Sequence, residues 1–483
     1  MAHVVLPMLL MTAISISLAA AIGSESLPIA PYSSCRIVVD AGSSGTRFYV
    51  FSSPEKSVHR EFLHISPGIS EIAPQKAYAY MKETLYKIQK ILEPEKRASC
   101  FVQIYGTAGM RLLEPSMQRD IYTQLYVDFK KDPKMLLGLE PSDLKTISGE
   151  AEAFYLAMAA NYLDNRVESS LAPSNVDLYG ALDLGGGSAQ IVFDIKERWR
   201  FNSRRKAVAH LAPLDMEEFY LHSFLGYGSN RLQERLVFAL SQKNSSNITN
   251  PCWFPRYNEY NLTGTGRATD CLIALKSIVD KENSQCPENT YCALQSQSQP
   301  PVVGSFYAVS VYYVSTLFAK DVMAVYAPQL AYEWPTPSLE EIEAAALILC
   351  NIDYTELTQH NSSHTPLEQM PRRCLDLCLV TTLLRQFGFG PNERRVVFVE
   401  NIRDSPLVWA TGAYLKEHST ALAAYEASVA SHLSSLVEQG LPVGWYIALL
   451  MLSCSLMALY FSVHRAHNGY GTQAIQFIPD TRK

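Results

Sequence analysis

The chain has 483 residues, of which 48% are hydrophobic and 18% are charged, and its formal net charge is −6. This length and composition are sufficient for two or three domains with real cores, and they exclude a disordered or low-complexity protein. The small negative charge, without a large Lys/Arg cluster, argues against nucleic-acid binding and favours a small anion with its metal as the partner.

The N-terminal segment is hydrophobic. Residues 4–22 are almost wholly apolar, and small residues at 21–23 precede the polar residues 24–26. This pattern favours a signal peptide over residues 1–23, with an uncleaved signal anchor as the alternative. In both cases we expect the central part of the chain to lie outside the cytosol.

A first apolar segment ends in Asp40 and is followed by a Gly/Ser loop and a second apolar segment. Residues 38–46 read VVDAGSSGT, and residues 47–51 read RFYVF. Such a loop turns successive backbone N–H groups toward one point, which suits phosphate oxygens, and the carboxylate can hold a divalent cation. One loop alone is also typical of an ordinary turn.

Helices and strands then alternate, which predicts an α/β fold. A helix is predicted at 77–92 and a strand at 101–105, which leads into a Gly-containing turn at 106–111. Another helix begins near Ser148, a suitable N-cap, and carries Glu152 in its first turn. An acidic residue at this position either complements the helix dipole or serves as a catalytic group.

A second copy of the strand-loop-strand pattern follows. Residues 181–189 read ALDLGGGSA, with Asp183 at the strand end, and residues 190–193 read QIVF. Two copies of Asp-x-Gly at matching strand ends predict a duplicated architecture. We expect two lobes that face each other and hold a polyphosphate between them.

Cysteines and glycosylation sequons indicate an oxidising compartment. The chain contains ten cysteines. Sequons occur in polar, loop-like stretches at Asn244, Asn247, Asn261 and Asn361. This combination is typical of secreted or luminal proteins that contain disulfides. A zinc site is the alternative for the cysteines, but no paired C-x-x-C spacing supports it.

A second hydrophobic segment lies near the C-terminus. Residues 443–463 carry no charge and are long enough to cross a bilayer as a transmembrane helix, with a buried core helix as the alternative. His464 and Arg465 follow this segment. The positive-inside rule therefore predicts that the tail, 464–483, is cytosolic.

The motifs at 40–47, 106–111, 147–152 and 182–190 occur in the order of the apyrase conserved regions. From about residue 37 to 415 the chain resembles the apyrase, or ectonucleoside triphosphate diphosphohydrolase, family. The resemblance implies two ribonuclease-H-like α/β lobes of the actin-like ATPase superfamily, with the active site in the cleft between them. Lobe I is expected to comprise 37–164 plus 401–438, and lobe II to comprise 165–400.

The resemblance also implies roles for individual residues. Asp40 and Asp183 match the metal-site carboxylates, which hold Ca²⁺ or Mg²⁺ largely through water. Glu152 matches the general base, and Ser188 and Gln190 match residues that orient the attacking water. The matching phosphate-binding residues are Ser43, Ser44, Gly45, Thr107, Gly185, Gly186 and Gly187.

Two tyrosines in the weaker fifth motif, 306–313, are candidates to stack on the nucleobase. Tyr312 and Tyr313 match the aromatic character that the family shows there, although core packing of an apolar helix is an equal alternative. Near the general base the chain departs from the commoner family pattern, because Ala151 and Ala153 flank Glu152.

Four disulfides are expected. Three are implied by the resemblance: Cys252–Cys271, Cys286–Cys292 and Cys350–Cys374. Cys35 and Cys100 each precede a predicted core strand, and the implied fold places these strands side by side, which predicts a fourth bridge. Cys378 and Cys454 remain unpaired.

The sequence therefore predicts a membrane-anchored enzyme that hydrolyses terminal phosphates of nucleoside tri- or diphosphates by direct attack of water. Its catalytic domain is expected in the extracellular space or the secretory lumen. The main alternative is a non-catalytic nucleotide-binding surface receptor with the same fold, because Ala151 and Ala153 depart from the family pattern. A cytosolic actin-like or chaperone ATPase would not explain the sequons, the cysteines and the membrane span. A kinase on the same fold would need an acceptor site and usually a catalytic Asp instead of the Glu152 arrangement.

Overall fold

The computed structural model describes residues 35–51, 61–174, 176–195, 213–242, 248–360, 362, 364–438 and 451–452. One compact unit comprises Pro31–Ala421, and a second comprises Met1–Ala30 with Leu422–Lys483. The predicted segments 1–23 and 464–483 lie outside the described residues, as does 443–463 apart from residues 451 and 452. Within the described ranges, no helix is both long and apolar enough to cross a membrane.

The first sheet has five strands: β1 (Arg36–Ala41), β2 (Thr46–Phe51), β3 (Glu61–Ile65), β4 (Phe101–Gly106) and β5 (Leu144–Thr146). Their order is β3-β2-β1-β4-β5. Strand β2 pairs antiparallel with β1 and β3, whereas β4 pairs parallel with β1 and β5. The loop that contains the first Gly/Ser motif connects β1 to β2.

The second sheet repeats this topology. Its strands are β6 (Gly180–Leu184), β7 (Ser188–Asp194), β8 (Phe219–Leu225), β9 (Phe306–Ser310) and β10 (Val396–Phe398). Strand β7 pairs antiparallel with β6 and β8, and β9 pairs parallel with β6 and β10. The second Gly-rich loop connects β6 to β7, the position equivalent to the first loop. The predicted α/β class is confirmed, and the two sheets show the duplication that the two motifs indicated.

Nine longer helices accompany the sheets in the described part of the chain. They are α1 (Ala77–Ile91), α2 (Pro115–Lys131), α3 (Gly149–Leu163), α4 (Ser229–Ser241), α5 (Ala268–Glu282), α6 (Val311–Tyr326), α7 (Leu339–Leu349), α8 (Arg373–Gln386) and α9 (Trp409–Glu438). Short helices occupy Pro94–Arg97, Ala108–Arg111 and Tyr354–Leu357. Short strands occupy Thr249–Asn250, Asn258–Glu259, Leu262–Gly264, Asn401–Ile402 and Ser405–Pro406.

One hydrophobic cluster joins residues of both sheets through α3 and the start of α9. It includes Phe51 from β2 and Val192 from β7, with Phe154 from α3 and Tyr414 from α9. The rings of Phe51 and Tyr414 stack with their centroids 4.6 Å apart. Helix α3 also packs on β6, β7 and β8, although the predicted first lobe, 37–164, included this helix. The lobe boundaries remain a prediction.

The structure joins all four predicted cysteine pairs: Cys35–Cys100, Cys252–Cys271, Cys286–Cys292 and Cys350–Cys374. The first pair directly precedes β1 and β4, whose register places Arg36 opposite Phe101. Cys378 is buried and unpaired, and Cys454 lies outside the described residues.

The described residues contain one of the four predicted glycosylation sites. Asn261 is exposed at the turn between Asn258–Glu259 and Leu262–Gly264. Asn244, Asn247 and Asn361 lie outside the described residues.

Candidate active site

A cleft of about 740 Å³ lies where the loops of the two sheets meet. It receives side chains from the ends of β1 and β6, from the start of α3 and from β7. Twelve of the predicted site residues line it: Asp40, Ser43, Ser44, Thr107, Glu152, Asp183, Gly185, Gly186, Gly187, Ser188, Gln190 and Tyr313. The fold therefore brings together residues that are up to 273 positions apart in the sequence.

The two predicted metal-site carboxylates occupy equivalent positions in the two sheets. In the β1–β2 register Asp40 is opposite Arg47, and in the β6–β7 register Asp183 is opposite Gln190. Burial raises the pKa of Asp40 to about 6, and the Asp183 carboxylate adds to this rise. The Arg47 guanidinium, whose Nη1 lies 3.5 Å from Asp40 Oδ2, opposes it.

These carboxylates fit a hard divalent cation. Burial also raises the pKa of Asp183, against hydrogen bonding from Ser310 and the charge of Arg47. Asp183 Oδ1 is buried, and no residue in the described ranges donates a hydrogen bond to it. Burying a carboxylate oxygen without a hydrogen-bond donor costs free energy, because the oxygen loses its contacts with water. Ca²⁺ or Mg²⁺, bound directly or through water, would provide the missing contact.

Glu152 is held at the centre of a hydrogen-bonded group. Ser148 caps α3 by accepting a hydrogen bond from the Ala151 amide at 3.0 Å, which fixes the first turn of the helix. Glu152 Oε2 accepts from Arg111 Nη1 at 2.9 Å and from Gln190 Nε2 at 3.2 Å. Both contacts involve Oε2, so Oε1 is the oxygen that remains for a water.

Burial and the Arg111 guanidinium have opposite effects on the pKa of Glu152. Burial raises the pKa of Glu152 to about 7, and the charges of Asp183 and Asp40 act in the same direction. The Arg111 guanidinium opposes this rise. A carboxylate with a pKa near neutrality suits general base catalysis at physiological pH.

Gln190 and Ser188 provide the remaining contacts for a water. Gln190 Nε2 donates to Ser188 Oγ at 2.9 Å, and Arg111 Nη2 donates to the same oxygen at 3.2 Å. Gln190 Oε1 is buried and has no partner among the residues that the structure describes. An unpartnered acceptor next to a carboxylate is the arrangement that a positioned water would complete.

Each phosphate loop is supported from behind by a glycine that permits close backbone contact. A Cβ atom on Gly68 would lie 2.6 Å from the carbonyl oxygens of Gly42 and Ser43. A Cβ atom on Gly228 would lie 2.4 Å from the backbone of Gly186 and Gly187. Both distances are too short for any other residue, so the loop conformations depend on these two glycines.

Two predicted site residues, Tyr312 and Gly45, do not line the cleft. Tyr312 is fully buried in the core of the second sheet, because it belongs to the inward face of α6, and it is not available to stack on a base. Tyr313 does line the cleft, with its ring 5.9 Å from that of Trp334. Gly45 packs against β3 instead, where a Cβ atom would lie 2.0 Å from His64 Nε2.

Several functional candidates were missed in the sequence. Arg47 and Arg111 belong to the recognised motifs, but only the structure shows their contacts with Asp40 and Glu152. Arg372 and Asn230 also line the cleft, and no local pattern identifies them. Trp409 lines the cleft and hydrogen bonds with Asp40.

Comparisons with known proteins agree with the motifs. The model of the GDA1/CD39 (nucleoside phosphatase) family matches residues 32–432. The chain is 26% identical to ectonucleoside triphosphate diphosphohydrolase 2 of Gallus gallus over 89% of this chain and 90% of that protein. It is also 26% identical to nucleoside-triphosphatase ntp-1 of Caenorhabditis elegans, over 78% of this chain and 72% of that one.

A solved structure shares the fold. The crystal structure of nucleoside triphosphate hydrolases from Neospora caninum superposes with a TM-score of 0.56 at 14% identity, over 82% of this chain and 94% of that chain. At this identity the similarity concerns the fold alone.

Proposed function

The chain belongs to the GDA1/CD39 (nucleoside phosphatase) family, and from this premise we propose that it hydrolyses the terminal phosphates of nucleoside tri- and diphosphates by direct attack of water. The observation that carries the proposal is the group formed by Glu152, Ser188 and Gln190, which leaves one buried acceptor without a partner beside a carboxylate. This group lies in the same cleft as the two phosphate loops.

In this mechanism Glu152 accepts a proton from the attacking water. Gln190 Oε1 accepts the second hydrogen bond from that water, which orients its lone pair toward the terminal phosphorus. Backbone N–H groups of the two loops, with Thr107, Ser43 and Ser44, hold the phosphate oxygens in place. Most of the rate enhancement in phosphoryl transfer comes from such positioning and charge stabilisation, so no covalent enzyme intermediate is required.

The proposed cofactor is Ca²⁺ or Mg²⁺, held by Asp40 and Asp183. When bound, such a cation would neutralise phosphate charge. Arg47 stands beside Asp40 and carries a fixed positive charge at the same end of the cleft.

We place the catalytic domain outside the cytosol, with 443–463 as a membrane anchor and 464–483 in the cytosol. The four disulfides and the exposed Asn261 support an oxidising, glycosylating compartment. For the full chain expressed in animal cells, we expect glycosidase treatment to increase electrophoretic mobility and carbonate washing to leave the chain in the membrane pellet. Release of an unglycosylated chain into the wash would refute this location.

The test of the activity is phosphate release by the purified protein from ATP, ADP, UDP and GDP. We expect release with Ca²⁺ or Mg²⁺ and none with a chelator. The alternative function is a nucleotide-binding receptor, which Ala151 and Ala153 favour as departures from the commoner family pattern. Nucleotide binding without phosphate release from any of the four substrates would support the receptor and contradict the enzyme.

A further inference from the structure

The first phosphate loop, 42–45, rests on the segment 66–70, which follows β3. A Cβ atom on Gly68 would lie 2.6 Å from two carbonyl oxygens of the loop. A Cβ atom on Gly109 would lie 2.8 Å from Ser43 Cα, so the loop is also packed closely against the short helix after β4. With contacts this short, a shift of the segment 66–70 moves the loop with it.

The two phosphate loops differ in how they are attached to their supports. The second loop is bound to the start of α4 by backbone hydrogen bonds, one of which runs from the Ser229 amide to the Gly185 carbonyl at 2.9 Å. Between residues 42–45 and residues 66–70, all of which the structure describes, there is no backbone hydrogen bond. The support of the first loop is therefore fixed by packing and by side chains.

One side chain of α1 provides such a contact. Tyr80 Oη donates to the Ile65 carbonyl at 2.9 Å and also contacts the Pro67 carbonyl. The same oxygen lies 3.3 Å from Oγ1 of Thr46, the fully buried residue that follows the loop and begins β2. A single hydroxyl group thus joins the end of the loop to the start of its support.

The Tyr80 hydroxyl keeps its proton at physiological pH. Burial raises the pKa of Tyr80 above its usual value of 10.0, although the contact with Thr46 acts in the opposite direction. A protonated hydroxyl can donate, whereas the carbonyl groups can only accept. Removing this oxygen would leave part-buried carbonyl groups without the donor, and the segment 66–70 would lose a contact that fixes it.

We propose that Tyr80 is a positioning residue that holds the first phosphate loop in its phosphate-binding conformation. The inference rests on the proposed function, in which Ser43 and Ser44 bind phosphate oxygens. Tyr80 does not line the cleft, so it acts through Thr46 and the segment 66–70 and not through contact with the substrate. A loop that becomes ordered only when phosphate binds would bind it more weakly, because the ordering opposes binding.

The test compares Tyr80→Phe, which removes one oxygen atom, with the wild type. We expect KM for ADP and for UDP to rise by the same factor, about fivefold, because the lost hydrogen bond weakens phosphate binding whatever the base. The loop contacts phosphate before and during the reaction, so kcat is expected to change by less than about twofold. The acidic limb of the pH profile of kcat/KM, which reports the ionisation of Glu152, is expected to stay in place.

Tyr86→Phe is the matched control. Tyr86 lies on the same helix α1, its hydroxyl donates to Asp132 Oδ2 at 2.6 Å, and it does not line the cleft. We expect this variant to leave both KM values unchanged, even where its melting temperature falls as far as that of Tyr80→Phe. An unchanged KM in Tyr80→Phe, or an equal rise in Tyr86→Phe, would overturn the proposal.

A second variant covers the case in which Tyr80→Phe fails to fold, as judged by its melting temperature. Thr46→Val removes the other hydroxyl of the same contact and is expected to raise KM about twofold for both nucleotides. An unchanged KM in Thr46→Val would then overturn the proposal.

A binding measurement keeps the positioning role separable from the proposed hydrolysis. If the wild type releases no phosphate, the proposed hydrolysis fails, and calorimetric Kd values for ADP with Mg²⁺ still compare the wild type with Tyr80→Phe. A Kd that is about fivefold weaker in the variant would support the positioning role. Equal Kd values would contradict it.

Discussion

At the scale of single residues, Arg111 has the largest expected influence on the general base. It donates to Glu152 and Ser188 and opposes the rise in the pKa of Glu152 that burial causes. Replacing Arg111 by Gln is expected to raise this pKa by about one unit or more. The base would then be mostly protonated at neutral pH, so activity at pH 7 is expected to fall about fivefold or more and to return on the alkaline side.

The measurement is the pH profile of kcat/KM, in which the acidic limb reports the ionisation of the base in the free enzyme. Arg111→Lys retains the charge and is expected to keep the limb near its wild-type position. A uniformly lower rate in Arg111→Gln with an unmoved limb would contradict the electrostatic role.

The carboxylates and loops of the site could be located from sequence patterns. Each lies at a fixed spacing after a strand, and a strand with the loop that follows it is a local feature of the sequence. Contacts between distant side chains are not local. The pairing of Arg372 with Ser229 spans 143 positions and depends on how α4 and α8 pack. Tyr312 and Tyr313 are adjacent, and only the packing of α6 shows that the first is buried and the second lines the cleft.

At the scale of elements, the start of α4 supports the second phosphate loop through Gly228. Gly228→Ala would force the Gly186–Gly187 backbone away by several tenths of an ångström, because the added Cβ would lie 2.4 Å from it. We expect kcat/KM for nucleotides to fall about 100-fold, as misplacement of positioning groups does in other enzymes.

Gly390→Ala is a suitable control for this substitution. The three atoms nearest to a Cβ atom at Gly390 all belong to the flexible Glu393 side chain, the first at 3.2 Å, and Gly390 does not line the cleft. Equal activity of the Gly228→Ala variant and the wild type would contradict the supporting role of the glycine.

The disulfide between Cys35 and Cys100 connects the starts of two neighbouring strands of the first sheet, β1 and β4. Its cysteines are 65 positions apart, and loop-closure entropy assigns such a bridge about 4 kcal/mol of stability. Replacing both by Ser is expected to lower the free energy of unfolding by about that amount in chemical denaturation. Removal of Cys286–Cys292, which spans 6 positions, is expected to cost about 2 kcal/mol. A larger loss for the short bridge would contradict the entropic account.

At the scale of the whole molecule, the buried carboxylates link stability to pH and to divalent cations. Burial raises the pKa of Asp40 from 3.8 to about 6. The native state therefore holds a proton that the unfolded chain releases near pH 4, and this contribution to stability is lost as the pH rises from about 4 to about 6. An Asn side chain at position 40 does not titrate, so a variant that carries it lacks this dependence on pH.

We therefore compare the free energies of unfolding of Asp40→Asn and the wild type in the presence of a chelator. Between pH 4 and pH 6 the value for the variant is expected to rise relative to that of the wild type by on the order of 1–3 kcal/mol. Ca²⁺ or Mg²⁺ at pH 7 is expected to raise the melting temperature of the wild type more than that of the variant. A difference that stays constant with pH, or equal stabilisation of both proteins by the cations, would contradict the coupling.

The duplicated architecture was predictable because the same loop occurs twice, and the equivalent strand orders of the two sheets agree with it. The division into lobes was harder to predict. Helix α3 follows the first sheet in sequence but packs on the second, and one cluster joins both sheets through α3 and α9. Chain order does not determine which sheet a connecting helix covers.

The central claim is that Glu152 activates the water that attacks the terminal phosphate. Its most direct test is single-turnover phosphate release in the presence of Ca²⁺ or Mg²⁺ by Glu152→Gln and by Glu150→Gln. Both glutamates lie in the first turn of α3, but only Glu152 lines the cleft. We predict at least a 100-fold slower release for Glu152→Gln with nucleotide affinity retained, and an unchanged rate for Glu150→Gln. Release by Glu152→Gln at the wild-type rate would contradict the claim.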